Sequence, residues 1–423
     1  MSRPIALFPW HWLPPLCTLA LVLLLHVDVP YHDQWDLLPL LDAALRNEFR
    51  WADLLQPHNG HILLLPKLVM LALALLTQWN TLAEVLFGFL CMLGSWRLIQ
   101  AMAAQLLSRP LLLSEKTVLS LLVFSWSQAQ NWLWGWQLQI PLALLLLLCG
   151  FAALQRIRHD GTAILLAALC GTAAMLSFAG SLPFWVAVLP LLWQRRRWLV
   201  IPWLLLCCLL LFAYASIAGM ADAGDAAAAL PDASEILRHL RNTLALLGNL
   251  VARFNFNAAI VAGFCGVALL LWQAWLRSAT VRALSLSVLL FAAGTALLVS
   301  LTRSGLGDEQ MLASRYGTLT LPFWVVLAVL LSDAIHSKVQ PMRLAIAGCL
   351  LFSLLASQAY SWQDFYQLHR RLERGAVALQ QIDTEQGRKL LPVINPRSDR
   401  ERALQEVLLL RQYRLSAFRD NAP

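Results

Sequence analysis

Long apolar runs, separated by short polar segments, are the dominant pattern along this 423-residue chain. Several runs reach the length of about 18 residues that lets a helix cross a bilayer. Residues 203–219 and 284–301 show neither a polar helical face nor the period-2 alternation of a membrane β-barrel strand. The pattern therefore predicts an all-α polytopic membrane protein. Because the first run, about residues 10–27, is not followed by a small-residue cleavage site, we expect a retained helix rather than a signal peptide.

Basic residues indicate which loops face the cytoplasm. Four basic clusters alternate along the chain with less basic loops, at 155–159, 194–197, 277–282 and 336–343. Because positively charged loops stay inside, these clusters predict the cytoplasmic side. The predicted outer segments are 28–60, 128–137, the turn near 180–183, 219–257, 303–316 and the tail from about 361. The net charge of +8 is scattered among loops, so no nucleic-acid binding is expected.

The number of crossings depends on residues 62–77. Three apolar segments lie between the first two outer loops, at about 62–77, 82–104 and 112–127. An even number of them must cross, and 62–77 is short and interrupted by Pro66 and Lys67. We therefore expect this segment in the outer leaflet, with about 11 transmembrane helices and a first outer region of about 28–81. The alternative, a crossing by 62–77, would place basic residues against the charge rule.

Amphipathic segments are predicted on the outer face. In the first outer region, apolar residues at spacings of three and four predict an interfacial helix; they are Trp35, Leu38, Leu41, Leu45 and Phe49. Residues 232–250 predict a second such helix, whose buried stripe would be Ile236, Leu240, Leu244 and Leu247. The chain thus divides into a transmembrane domain, 1–360, and a small helical tail, 361–423, on the outer face.

Two polar clusters flank the first interfacial helix. They are "YHDQWD" (31–36), where the first helix leaves the membrane, and "QPHNGH" (56–61), where the chain returns to it. The groups that could face one cleft are His32, Asp33, Asp36, His58, Asn59 and His61. A carboxylate held against an apolar surface can act as a general base toward a hydroxyl. The structural alternative is that Asp36 caps a helix and the histidines are solvated at the interface.

A metal site built from Asp33, Asp36, His58 and His61 is chemically possible, since divalent ions accept imidazole and carboxylate ligands. However, Gly60 interrupts the helix that would align the two histidines of "HNGH". We therefore predict that the protein binds no metal and no cofactor.

Two further outer loops carry candidate binding residues. Residues 125–139 combine four tryptophans with amides, and the candidates for recognising a polyhydroxyl ring are Gln128, Gln130, Asn131 and Trp134. The alternative is an interfacial aromatic belt. Residues 303–324 contain "SRY", which would place Arg315 and Tyr316 at the membrane edge, where a guanidinium can bind a phosphate. Snorkelling is the alternative for Arg315, and Arg253 is a weaker phosphate candidate.

These motifs together resemble the GT-C superfamily of polytopic glycosyltransferases, which take sugars from polyprenyl-phosphate carriers. The resemblance rests on the acid after the first helix, on "PHNGH", on "SQAQNWLWGWQ" and on "SRYGTLTLPF", and it is strongest to the bacterial branch similar to dolichyl-phosphate-mannose mannosyltransferases. The chain contains no Walker loop, dinucleotide fingerprint, HExxH or GxSxG motif.

The resemblance implies a catalytic base at Asp33, with Asp36 as the competing choice, and carrier-phosphate contacts from Arg315 and Tyr316. His58 and His61 match the segment that re-enters the membrane in the family. Where many relatives carry an acid in the second outer loop, this chain has Gln128, Gln130 and Asn131.

The expected function is therefore transfer of a sugar from a polyprenyl-phosphate-linked donor to a lipid, glycan or protein acceptor. It would take place on the outer face of the bacterial cytoplasmic membrane, with membrane lipids around the protein. The alternatives are a non-enzymatic glycolipid transporter or flippase and a subunit for envelope assembly.

Overall fold

The computed structural model describes residues 9–219, 232–337 and 340–419. Within these ranges every regular element is a helix, and the β pairing is limited to one isolated bridge between His58 and His61. The prediction of an all-α protein is therefore confirmed for the described residues.

The helices are numbered in chain order. They are α1 (Leu13–Leu25), α2 (Leu38–Leu45), α3 (Leu64–Thr77), α4 (Thr81–Leu107), α5 (Leu113–Val123), α6 (Ala129–Leu133), α7 (Gln139–Arg156), α8 (Asp160–Met175), α9 (Phe184–Ala187), α10 (Leu189–Arg195), α11 (Val200–Ile217), α12 (Ala233–Ala252), α13 (Phe256–Trp275), α14 (Ala279–Arg303), α15 (Gly317–Ser337), α16 (Pro341–Gln380), α17 (Glu385–Leu390) and α18 (Arg400–Gln412).

Seven of the described helices are long and apolar enough to cross a membrane: α4, α7, α11, α13, α14, α15 and α16. Three shorter apolar helices, α1, α3 and α8, accompany them. The protein is thus a multi-pass membrane protein by its helix composition. The predicted crossing at 112–127 forms only the 11-residue α5, which ends before Phe124. The count of about 11 crossings, and the interfacial placement of α3, stay predictions.

Helix α12 begins where the sequence predicts, and its C-terminal half is buried within the protein. The Asp232 side chain accepts a hydrogen bond from the backbone N–H of Glu235 at 2.8 Å, as expected of a helix N-cap. Ile236 and Leu240 are more than half exposed on the protein surface, so the burial of these two positions in the membrane stays a prediction. The C-terminal half of α12 is buried because it packs closely against α13.

Two glycines allow that close packing. A Cβ atom on Gly248 would lie 1.9 Å from the backbone oxygen of Ala259, and one on Gly263 would lie 2.0 Å from that of Leu244. Small residues at such a crossing let two helix backbones approach directly, which is a common way of packing helices in membranes. The C-terminal half of α12 is therefore part of the bundle.

The first outer region and the C-terminal tail pack against each other. Proline at position 39 follows a 3₁₀ turn (His32–Leu37), so the predicted interfacial helix is reduced to α2. Helix α16 is 40 residues long, about 60 Å, and therefore extends well beyond a hydrocarbon core of about 30 Å. The tail that follows it reaches the first outer region, where the Tyr413 hydroxyl donates to Asp42 (2.8 Å) and Arg419 pairs with Asp28 (2.5 Å).

Candidate functional site

The first outer region brings the two predicted polar clusters together. Residues His58 and His61 form a two-residue hairpin, in which each backbone N–H donates to the other's carbonyl oxygen at 2.8 and 2.9 Å. The intervening Asn59 and Gly60 both have positive φ (50° and 74°), as a primed hairpin turn requires. Because of this turn, "HNGH" is not helical, and the two histidine side chains are placed by the hairpin instead.

The centre of the candidate site is a cluster of two carboxylates, one imidazole and one guanidinium. His58 lies with Nδ1 3.1 Å from Asp36 Oδ2 and with Nε2 3.6 Å from Asp33 Oδ2. Arg397 lies 2.7 Å from Asp33 Oδ1 and 3.3 Å from Asp36 Oδ2. The His58 and Asp33 side chains are largely buried, at 10% and 16% exposure, whereas Arg397 is 46% exposed. We call these four residues the acid cluster.

Arg397 is absent from the residues that the sequence predicts for the site. It belongs to a loop between α17 and α18, 361 positions after Asp36. The loop is braced by Glu406 of α18, whose carboxylate accepts hydrogen bonds from Asn395 (2.6 Å) and Ser398 (2.9 Å). The sequence predicts only that the tail and the first outer region lie on the same side of the membrane, because the charge rule places both there. It does not predict the contact itself.

The same loop fixes the backbone beside Asp33. The carbonyl oxygen of Ile394 accepts a hydrogen bond from the backbone N–H of His32 at 2.6 Å. His32 has φ of 51°, in the left-handed region that residues other than glycine occupy infrequently. The tail therefore holds both the side chain of Asp33 and the backbone that precedes it.

A buried carboxyl group supports the turn that carries Asp33 and Asp36. The Glu84 side chain is fully buried and accepts hydrogen bonds from Gln34 Nε2 (2.6 Å) and Trp79 Nε1 (3.0 Å). Gly135 packs directly over it, so a Cβ atom there would lie 2.2 Å from Glu84 Oε2. Glu84 thus joins the turn to α4 and to the second outer loop.

The electrostatics of the acid cluster are balanced. Burial alone would raise the pKa of Asp33, but the His58 imidazole and the Arg397 guanidinium outweigh it and hold that pKa below the usual value of 3.8. Burial alone would lower the pKa of His58, but its interactions with Asp33 and Asp36 outweigh it and raise that pKa above 6.5. With His58 protonated, two positive charges face two carboxylates, so the cluster is neutral.

Replacement of His58 by glutamine is expected to cost stability in a pH-dependent way. A group whose pKa is raised on folding stabilises the protein fully below its unfolded pKa, and this contribution is lost as the pH rises through the folded pKa. The advantage of the wild type over His58→Gln should therefore be largest below 6.5. It should be on the order of 1.5–3 kcal/mol, as for hydrogen bonds to charged groups.

Thermal unfolding of the purified protein from about pH 5 to about pH 8 measures this difference. In an Asp33→Asn/Asp36→Asn background the pH-dependent part of the difference should vanish. A wild-type advantage that grows with rising pH would contradict the raised pKa of His58.

The acid cluster has the donor set of a divalent metal site. One donor atom from each of Asp33, Asp36 and His58 lies within 4.8 Å of the others, while His61 lies outside this group. Carboxylate and imidazole suit several divalent ions. Such an ion would compete with the Arg397 guanidinium for both carboxylates. The predicted absence of a metal stays a prediction.

The amides of the second outer loop mainly hold the loop in place. Gln128 is buried, donates to the carbonyl oxygen of Val123 (3.1 Å) and accepts from the Thr318 hydroxyl. Asn131 Nδ2 donates to Thr318 Oγ1 (2.7 Å) and to the carbonyl oxygen of Arg315 (3.0 Å). The sequence predicts that these two amides contact a sugar. Such contacts would replace the hydrogen bonds that connect this loop to α15.

Gln130 and Trp134 contact the predicted phosphate residue and the first outer region. Gln130 Oε1 accepts a hydrogen bond from Arg315 at 3.1 Å, and the guanidinium lies 4.8 Å from the centre of the Tyr316 ring. Trp134 Nε1 donates to the carbonyl oxygen of Tyr31 (2.9 Å), and its ring lies 5.8 Å from that of His32. The second outer loop thus connects Arg315 to the segment that carries Asp33.

Arg253, the weaker phosphate candidate, has an internal role in the structure. Its guanidinium forms an ion pair with Asp364 of α16 and donates from Nε to the carbonyl oxygen of Leu312 at 2.7 Å. The residue is only 9% exposed. Arg253 therefore connects α12 to α16 and to the loop before Arg315, and it has no group exposed for a carrier phosphate.

Comparisons of the chain with protein-family models, with curated proteins and with solved structures found no match.

Proposed function

We propose that this protein is a membrane glycosyltransferase that takes a sugar from a polyprenyl-phosphate-linked donor. The observation that carries the proposal is the acid cluster, in which Asp33 and Asp36 lie at the exit of α1, close to the segment that contacts Arg315. A carboxylate that can accept a proton and a cation that can receive a phosphate are the two groups that such a transfer requires. The resemblance to the GT-C superfamily agrees with this arrangement.

The proposed reaction is a direct displacement. The acceptor hydroxyl oxygen attacks the anomeric carbon, and the carboxylate of Asp33 takes its proton. The bond between the anomeric carbon and the phosphate oxygen breaks, and its electron pair leaves with the polyprenyl phosphate. Arg315 stabilises the charge that develops on the phosphate. Since attack occurs opposite the leaving group, the anomeric configuration inverts.

The residues around Asp33 would support this chemistry in different ways. His58 holds the two carboxylates in one orientation, and the buried Trp134 would hold the backbone of Tyr31 and the ring of His32 beside Asp33. The site would face the outer side of the bacterial cytoplasmic membrane. The acceptor would be a lipid, a glycan or a protein.

The proposal is tested by the lipids that cells accumulate when the gene is deleted. A transferase that consumes a polyprenyl-phosphate sugar should leave that donor in excess, so mass spectrometry of the lipid extract should show more of it than in the complemented strain. Expression of the wild-type chain should restore the level, whereas a well-expressed Asp33→Asn/Asp36→Asn variant should not. If that variant restores the level fully, the enzymatic proposal is wrong and the transporter alternative becomes stronger.

A further inference from the structure

Arginines from three separate parts of the chain lie near enough to His32 for their charges to affect its protonation. Arg315 follows the last outer loop, Arg371 lies on the outer part of α16, and Arg397 lies in the tail loop. The three positive charges each oppose protonation of His32, whose pKa is lowered chiefly by burial and only partly restored by Asp33. His32 itself is therefore kept neutral, and the charge around it comes from the arginines.

Arg315 and Arg371 lack carboxylate partners within the described part of the chain. Arg315 donates to Gln130 Oε1 and to the Tyr316 hydroxyl, both of which are neutral groups. Arg371 is exposed on α16, two residues after His369, whose ring nitrogen contacts the carbonyl oxygen of Leu25 at 2.8 Å. This contact places the turn of α16 that carries Arg371 level with the exit of α1. Two positive charges near His32 are thus left without an ionic partner among the residues that the structure describes.

Arg397 differs because it is already engaged. Its guanidinium spans Asp33 and Asp36 at 2.7 and 3.3 Å. While it does so, the Oδ1 atom of Asp33 accepts a hydrogen bond from Arg397, so this atom cannot accept one from an acceptor hydroxyl. The side chain is nearly half exposed, whereas Asn395 and Ser398 on either side are held by Glu406. The loop is therefore fixed, and the Arg397 side chain has room to change partners.

We propose that Arg397 releases the two carboxylates and binds the phosphate group of a lipid-linked substrate. Arg315 and Arg371 bind the same phosphate group. This inference rests on the proposed function and deepens it, because it makes phosphate binding the event that frees Asp33. A guanidinium binds a phosphate with paired hydrogen bonds as well as it binds a carboxylate, so the exchange keeps its hydrogen bonds satisfied. Arg397 is in this sense a substrate-binding residue that also controls access to Asp33.

Binding measurements on the full-length protein in lipid nanodiscs test the phosphate site. The probe is polyprenyl monophosphate, with the neutral polyprenol and inorganic phosphate as the comparison ligands. Arg371→Ala and Arg397→Ala should each weaken binding of the probe by about 10–100-fold, as for loss of charged hydrogen bonds. Arg370→Ala is the matched control: Arg370 precedes Arg371 on α16 but pairs with Glu373 (3.1 Å), so its replacement should leave binding within about twofold.

Two comparisons identify the ligand chemistry. Polyprenol that binds as tightly as polyprenyl monophosphate would overturn the phosphate site, because the chain alone would then carry the affinity. Inorganic phosphate that displaces the probe at equal concentration would overturn the assignment to a lipid. The expected result is binding of the lipid phosphate alone.

A double-mutant cycle tests the exchange itself. If the carboxylates compete with phosphate for Arg397, Asp33→Asn should tighten binding of polyprenyl monophosphate by several-fold, about 3–10-fold, and the gain should disappear in the Arg397→Ala background. A gain of the same size in that background would overturn the exchange, since it would reflect only removal of a negative charge. Arg397→Lys, which keeps the charge, reports whether the loop still folds. This binding pattern does not depend on sugar transfer, so a protein that shows it without consuming any donor would disprove the proposed function and leave the phosphate site standing.

Discussion

Replacement of Asp33 by asparagine is expected to reduce the rate of sugar transfer by about 10²–10⁴-fold, the usual contribution of a positioned general base. Asparagine preserves the size of the side chain and one of its two acceptor oxygens, but it cannot take the proton of the acceptor hydroxyl. Asp36→Asn should reduce the rate by less than about tenfold, because the base would remain in place.

The structure distinguishes the two carboxylates by their surroundings. Asp33 has 16% of its side chain exposed and lies beside His32, whose protonation the three arginines oppose. Asp36 is 36% exposed and contacts His58 and Arg397 from the other side of the cluster. A leaving phosphate held by the arginines would therefore lie nearer to Asp33, so this residue is the better base.

The measurement is the rate of transfer from labelled donor in proteoliposomes that contain equal amounts of each variant. Asp53→Asn is a matched control, since Asp53 lies in the same outer region and its side chain pairs with nearby Arg50 and Gln56. Full activity of Asp33→Asn with loss in Asp36→Asn would reverse the two roles. Full activity of both would show that neither carboxylate is a base.

The convergence of Asp33, Asp36 and His58 could be predicted because it follows from local order along the chain. The two polar clusters stand at the points where the chain leaves the membrane and returns to it, so they must lie near the same interface. The position of His61 outside the cluster could not be predicted in this way, since it depends on the hairpin turn at Asn59 and Gly60. A turn that is longer or shorter by one residue would change the direction of both histidine side chains.

The contribution of Arg397 depends on tertiary contacts that hydropathy does not encode. Its loop is placed by Glu406 and by the backbone contact between Ile394 and His32. Neither Glu406 nor Ile394 belongs to a recognisable motif, and the tail is amphipathic throughout. The charge rule predicts the face of the membrane on which the tail lies but not the partner against which it packs.

The same limit applies to the contact between α12 and α13. Its polar N-terminal half and apolar spacing predict an interfacial helix, and that pattern contains no information about neighbouring helices. The informative signal was the pair of small residues, Gly248 and Gly263, because glycine in the middle of an apolar helix usually marks a close crossing.

Substitution at this crossing is expected to have the largest effect on stability. Gly248→Ala places a Cβ atom 1.9 Å from the Ala259 carbonyl oxygen, a backbone atom that cannot move without shifting α13. The cost should reach or exceed the range of about 1–3 kcal/mol that is typical of overpacking. Gly248→Leu, which adds three further carbons at the same point, should yield no monodisperse protein.

Gly348→Ala is the control that separates crowding from helix propensity. A Cβ atom on Gly348 would meet no atom within 4 Å, and this residue lies in the interior of α16. Since alanine favours a helix over glycine by about 1 kcal/mol, this variant should unfold at the same temperature as the wild type or slightly higher. Thermal unfolding monitored by size-exclusion chromatography compares the variants. If Gly248→Ala is as stable as Gly348→Ala, then α12 and α13 do not approach as closely as described, and the C-terminal half of α12 would instead lie at the membrane surface as its sequence predicts.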